Sequence, residues 1–223
     1  MKKISRFGEG AYVFGLLFLS MGTALLAKAG FGVSMVVAPA YLVSLKFSFL
    51  TFGTAEYCVQ AAVFAAMCLV IGKFRLSYCF TFLSLLIYGA VLDAWVRVFD
   101  FLPSDGLPLR IACYLIGLPL VSLGVSLMFH TYFAPSVYEY FVRMVSAHFG
   151  KDINKFKVAY DCTSLAVSIG LSFLFFGKLN GIGIGTVIAA VLNGRIIGWF
   201  SRRMEERVDF SPRYPRLAAL FQK

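Results

Sequence analysis

Residues 11–27 read AYVFGLLFLSMGTALLA, an apolar run without a charged residue, preceded by Lys2, Lys3 and Arg6. A bilayer-spanning helix needs about 20 predominantly apolar residues, and this run reaches that length over 8–28. A basic start before an apolar stretch also describes a signal peptide. No small-x-small cleavage site separates the run from the residues after it, so it reads as a retained first helix.

Five further runs of spanning length lie at 54–72, 76–98, 109–130, 156–176 and 183–201. Two other segments, 32–49 and 135–149, each begin just after a spanning helix and are short for a crossing; the second carries Glu139, Arg143 and His148. They are expected either to lie at the interface or to dip into the membrane as re-entrant half-helices. The predicted fold is an all-α membrane protein of six transmembrane helices.

The composition excludes the soluble alternative. The chain is 60% hydrophobic and 14% charged, with mean hydropathy +0.81, whereas a soluble domain carries about 25% charged residues. A single core of this size could not hide so much apolar surface. The net charge of +10 sits at the N-terminus, in short connectors and in the tail from Arg202 to Lys223. No stretch interleaves it with aromatics as single-strand binding requires, so no nucleic-acid partner is expected. Basic residues in those places set topology and attract anionic lipid headgroups. Placing the N-terminus in the cytoplasm puts Lys73, Arg75, the Arg143–Lys157 stretch and the tail there too. Both termini are then cytoplasmic, as six spans demand. The five cysteines (Cys58, Cys68, Cys79, Cys113, Cys162) fall in apolar segments without CxxC spacing, and read as small buried hydrophobes.

The first run recurs. Phe14-Gly15 with Ser20-x-Gly22 returns as Ile116-Gly117 with Ser122-x-Gly124, and the same step of 102 carries Phe31-x-x-Ser34 to Phe133-x-x-Ser136. With two residues of slippage, Tyr57-Cys58 meets Asp161-Cys162, Gln60 meets Ser164 and Trp95 meets Trp199. The expected organisation is a first half at 1–100, a second at 101–201 and a basic cytoplasmic tail at 202–223. Each half holds an odd number of crossings, so the second must be inverted relative to the first. Inverted repeats are the architecture of many secondary transporters, with a site near the midplane.

Polar groups at membrane depth face a partner, the bundle interior or water. Asp161, Ser164, Ser168 and Ser172 share one helical face, and Thr186 and Asn193 share another, with Arg195 roughly opposite Asn193. Asp161 reads as a proton- or cation-coupling carboxylate with Arg195 as its partner or an anion ligand; equally, the two form a structural pair and the serines bond their own helix backbone. Gly30-Phe31-Gly32-Val33-Ser34 and Phe133-Ala134-Pro135-Ser136 both look like helix starts, a breaker and then a serine as N-cap or early-turn residue. Two such N-termini entering from opposite sides would aim their positive ends at one centre; as interfacial helices they would not. In the second, Ser136, Glu139, Arg143 and Ser146 share a face. The candidate solute site is therefore Ser34, Ser136, Glu139, Asp161, Ser164, Thr186, Asn193 and Arg195.

Other features have plainer readings. Gly15 and Gly22, and Ala190, Gly194 and Gly198, make small-residue seams suited to close helix packing. Glu56 with Gln60, and Asp93 with Arg97, are turn-spaced pairs that either solvate the interface or close the outer side. His130 and His148 have no acid, nucleophile or metal constellation around them. No enzyme motif, cofactor fingerprint or metal-ligand spacing is present.

The repeat, Gly30-Phe31-Gly32-Val33-Ser34, and the ending Gly183-Ile184-Gly185-Thr186-Val187…Gly194 resemble the YczE/YitT-like integral membrane proteins of bacteria over most of residues 8–200. In that family the first motif is followed by Pro and an acidic residue; here Met35-Val36-Val37 stands there, and the nearest proline is Pro39. The resemblance implies a multi-pass topology in the bacterial inner (plasma) membrane and no particular substrate. The expected function is that of a small secondary transporter or exporter of an anionic or zwitterionic solute. Its partners would be lipid and solute, and a homo-oligomer is compatible with the sequence. The alternatives are a membrane-embedded substrate-binding subunit for an ATPase partner, and a non-transporting scaffold or sensor acting through Arg202, Arg203, Arg207, Arg213 and Arg216.

Overall fold

The computed structural model describes residues 8–72, 77–103, 106–131, 133 and 136–211, with side chains throughout except at 77–82 and 154. Eight α-helices and no β-strand lie within the described residues. In chain order they are α1 Gly8–Ala29, α2 Ala38–Lys46, α3 Phe52–Ile71, α4 Ser77–Asp100, α5 Leu107–Phe129, α6 Val137–His148, α7 Ile153–Phe176 and α8 Ile184–Arg207. Five of them, α1, α3, α5, α7 and α8, are long and apolar enough to cross a membrane. The chain is thus a multi-pass membrane protein. The fourth helix is as long as any, but Asp93, Arg97 and Asp100 charge its second half.

Local chemistry sets the boundaries. Thr51 N-caps α3 by accepting a hydrogen bond from the Thr54 N–H at 3.1 Å, while Asp93 reaches over from α4 to accept from the Gly53 N–H at 2.7 Å and the Thr51 hydroxyl at 2.6 Å. Two orphan donors at a helix start are thereby satisfied. Gly72, at φ 66°, closes the other end of α3 in the left-handed conformation that favours glycine. The helix predicted to end at 201 continues to Arg207, so Arg202, Arg203 and Arg207 belong to α8; Arg213 and Arg216 lie outside the described residues.

The centre of the bundle is the α1–α5 crossing. Burial reaches 50% of α1's spanning window and 56% of α5's, against 11% for α7 and 17% for α8. The two helices touch through glycine. A Cβ at Gly15 would lie 3.0 Å from the Gly124 carbonyl oxygen, and one at Gly22 would lie 2.7 Å from that of Gly117. As α1 advances from Gly15 to Gly22, its partner on α5 retreats from Gly124 to Gly117, so the helices run antiparallel. Without a hydrophobic force between helices in lipid, such backbone proximity supplies the dispersion contacts. Arg110, at the start of α5, donates to the Ala29 and Gly30 carbonyls at 2.8 and 3.2 Å, capping the end of α1.

The other predicted seam behaves differently. A Cβ added at Gly194 or Gly198 would meet nothing within 4 Å. Among the described residues these two glycines pack against no helix, and Ala190 and Gly194 stand instead on the wall of a cavity. The cysteines, expected to be buried, divide: Cys113 is buried, whereas Cys58 and Cys162 are exposed.

Candidate functional site

The two glycine motifs are partners. Gly32 adopts φ 106°, and a Cβ there would collide with the Thr186 hydroxyl and fall 2.6 Å from the Gly183 nitrogen. Around this contact the Val33 N–H donates to the Gly181 carbonyl (3.2 Å), the Gly185 N–H to the Phe31 carbonyl (2.9 Å), and the Thr186 hydroxyl to the Val33 carbonyl (2.8 Å). Tyr114 of α5 donates to the Gly185 carbonyl at 2.5 Å and buttresses the joint. The segment between α1 and α2 is thereby held as a strut, and its far end, Val33 to Val37, forms one wall of a cavity.

That cavity has a volume of about 390 Å³ and is lined from α1, α3, α4, α5, α6, α7, α8 and the 33–37 strut. Such a volume is within the range of small-molecule pockets. Both short helices begin on it, α2 through Ser34–Val37 and α6 through Ser136–Glu139. Its polar lining comprises Thr23, Ser34, Glu56, Gln60, Ser84, Tyr88, Ser136, Tyr138, Glu139, Lys157, Asp161 and Asn193.

Of the residues singled out from sequence, Ser34, Ser136, Glu139, Asp161 and Asn193 are therefore brought together. Ser136 N-caps α6, accepting from the Glu139 N–H at 3.4 Å, and its hydroxyl bonds the Glu139 carboxylate. Ser34 does not cap α2 with its side chain: the N-cap is Val37, and the Ser34 carbonyl accepts from the Val37 and Ala38 N–H groups at 3.1 and 2.9 Å. Asn193 accepts from the Ser122 hydroxyl at 2.6 Å, tying α8 to α5.

The remaining residues do other work. Ser164 donates to the Met35 carbonyl at 2.8 Å and anchors the strut to α7. Thr186, 1% exposed, is spent on the glycine joint. Ser168 bonds its own helix, and Ser172 holds the 178–180 turn. Arg195 is exposed and does not meet Asp161. With Asn193 turned to α5, the residue two positions on points away. The cation beside Asp161 is Lys157, one turn earlier on α7, at 3.6 Å.

The candidate set drawn from the sequence left out the most buried acid in the wall. Glu56 is fully buried; its Oε2 accepts from Gln60 Nε2 and from the Tyr138 hydroxyl, both at 2.9 Å, while Oε1 has no partner among the described residues. Gln60 completes the link by accepting from the Val137 N–H at 3.3 Å, so α3 and the start of α6 are joined by a buried polar chain. The pair expected at the outer interface is in the bundle interior. Glu56 is the one charged residue in α3, a signal that marks an intramembrane acid as functional. Asp93 instead serves the start of α3, and Arg97 is exposed. His130 does have an acid beside it: Nδ1 bonds the Ser126 carbonyl at 2.7 Å and Nε2 faces Glu205 at 3.0 Å, joining the ends of α5 and α8.

No solved structure matches this chain. A protein of Bacillus subtilis (strain 168), named "Uncharacterized protein YyaS", is 27% identical over 191 residues, covering 85% of this chain and 90% of its own length. The family match does not bear out the YczE/YitT-like proteins in particular; like them, the family matched has no assigned role. With residues 8–202 matched, the chain belongs to the "Family of unknown function (DUF6198)".

Proposed function

We propose that this chain is a small secondary transporter that moves a small zwitterionic or anionic solute by alternating access between two inverted three-helix halves, without catalysing a reaction. The observation that carries the reading is the cavity, a largely apolar chamber of about 390 Å³ with acidic, amide and hydroxyl groups set into its wall, bounded by both halves and by the starts of both short helices. The interface between repeats is where such transporters hold their substrate.

Two relationships support the inversion. Gly15 and Gly117 are equivalent in the repeat, as are Gly22 and Gly124, and each meets the other pair's member across an antiparallel crossing. Neighbours repeat as well: α1 packs on α4 as α5 does on α8, α2 on α3 as α6 on α7, and α3 on α6 as α7 on α2. One relation is broken. α3 packs closely on α4 where Gly53 meets Gly89, but the residues 104 further on, Lys157 and Asn193, stand on the cavity wall of α7 and α8. One half closed and the other parted is the asymmetry expected of a single state in an alternating cycle. In this reading α4 is the sixth span, the short helices are re-entrant, both termini are cytoplasmic, and the protein resides in the bacterial inner membrane.

The test is solute flux into proteoliposomes, paired with labelling of Ser34→Cys and Ser136→Cys in a background lacking the native cysteines. Slow labelling of both through a polar route, with protection by a transported solute, is expected. Free labelling of each from one side only, with no flux, would sink the reading.

A further inference from the structure

The charges lining the cavity are unbalanced. Among the described residues, Glu56, Glu139 and Asp161 stand against a single cation, Lys157, and that ammonium lies 3.6 Å from Asp161. Glu56 is 0% exposed and leaves Oε1 without a donor. A buried acceptor without a partner costs about 1–3 kcal/mol, more when charged, and an intramembrane carboxylate without a counter-charge costs more again.

The helix starts that would hold an anion are already occupied. At α6 the Val137 N–H donates to Gln60, and the first turn carries its own carboxylate, Glu139, folded onto Ser136. An acid in the first turn complements the dipole that would otherwise draw an anion. At α2, Pro39 removes one donor and the Ser34 carbonyl takes the Val37 and Ala38 N–H groups. What the wall lacks is positive charge to match its three carboxylates, and a donor at Glu56 Oε1.

We infer that the cavity binds a solute through an ammonium group, seated among Glu56, Glu139 and Asp161 with Tyr88 and Tyr138 in the same wall. This deepens the transporter reading and rests on it for the solute's role. An ammonium supplies the missing charge, with an N–H for Glu56 Oε1 as well where the nitrogen is protonated, and the two tyrosines suit an alkylated cation. Any carboxylate on the same solute falls to Lys157, so a zwitterion fits where a simple anion does not.

The experiment uses the purified full chain in lipid nanodiscs and measures binding calorimetrically. The probes are choline, its uncharged isostere 3,3-dimethylbutan-1-ol, the zwitterion N,N,N-trimethylglycine, n-butylammonium and acetate. Saturable binding of at least one ammonium probe is expected, with neither the alcohol nor acetate binding. Glu56→Gln should weaken it by about tenfold or more; Glu139→Gln serves if the first variant fails to fold. Binding of acetate in preference to every ammonium, binding unchanged in a folded carboxylate variant, or no probe binding would each overturn the inference. Flux separates the two readings: ammonium binding without flux in proteoliposomes leaves this site and removes the transporter, while anion flux without ammonium binding does the reverse.

Discussion

Gly22 of α1 lies against Gly117 of α5 so closely that a Cβ at Gly22 would sit 2.7 Å from the Gly117 carbonyl oxygen and 2.6 Å from the Val121 nitrogen. Both obstacles are backbone, which cannot rotate aside, so a larger residue must push the helices apart. Gly22→Val should destabilise the chain at or above the upper end of the roughly 1–3 kcal/mol typical of overpacking. Gly194→Ala, with open space around it, should stay within about 0.5 kcal/mol of the parent. Thermal unfolding in detergent separates the two; equal effects would mean that the α1–α5 contact is not the bundle's centre.

Tyr138 and Gln60 both donate to Glu56 Oε2, and Gln60 also accepts from the Val137 N–H. Tyr138→Phe should therefore cost about 0.5–1.5 kcal/mol, the net worth of a typical intramolecular hydrogen bond, since Gln60 still donates to the same oxygen. Gln60→Leu should cost more, since it strands a backbone donor as well. Denaturation of the two variants side by side gives the order, and the reverse order would show that Gln60 does not bridge α3 and α6.

The glycine joint should fail at Thr186. Thr186→Val keeps the shape but leaves the Val33 carbonyl without the hydroxyl that reaches it at 2.8 Å. A loss of about 1–3 kcal/mol is expected, together with faster labelling of Ser34→Cys as the strut loosens. Gly32→Ala should be worse, because φ 106° and the close approach of Thr186 both exclude a Cβ. Unchanged labelling in Thr186→Val would mean that the strut is held from elsewhere.

Arg195 and Lys157 should part company in function. Lys157 lines the cavity beside Asp161, and Arg195 faces outward. Lys157→Met is expected to lower solute flux markedly, while Arg195→Gln leaves flux and thermal stability as they were. A flux defect confined to Arg195→Gln would restore Arg195 to the site.

Much of this was legible in the chain, and the misses have physical causes. Spanning helices announce themselves because lipid demands long apolar runs with internally paired backbones. The motifs around Gly32 and Gly183 stood out by composition, but nothing in either says that it binds the other; that contact joins residues about 150 positions apart in sequence. Glu56 was misread because it lies within the first turns of α3, where an interface and a buried wall look alike from one sequence. Only the arrival of α6, with Tyr138 and the Val137 N–H, shows which it is.

The sequence alone determined what periodicity and hydropathy control: helices, their approximate ends, the glycine face of α1 and the recurrence of that face in α5. Tertiary structure decided which polar groups share a space. Helix rotation turned Asn193 toward Ser122 and so sent Arg195 outward, and the position of Lys157 on α7 made it the partner of Asp161. Rotation and register are set by packing summed over many contacts from distant parts of the chain, and no local pattern encodes that sum.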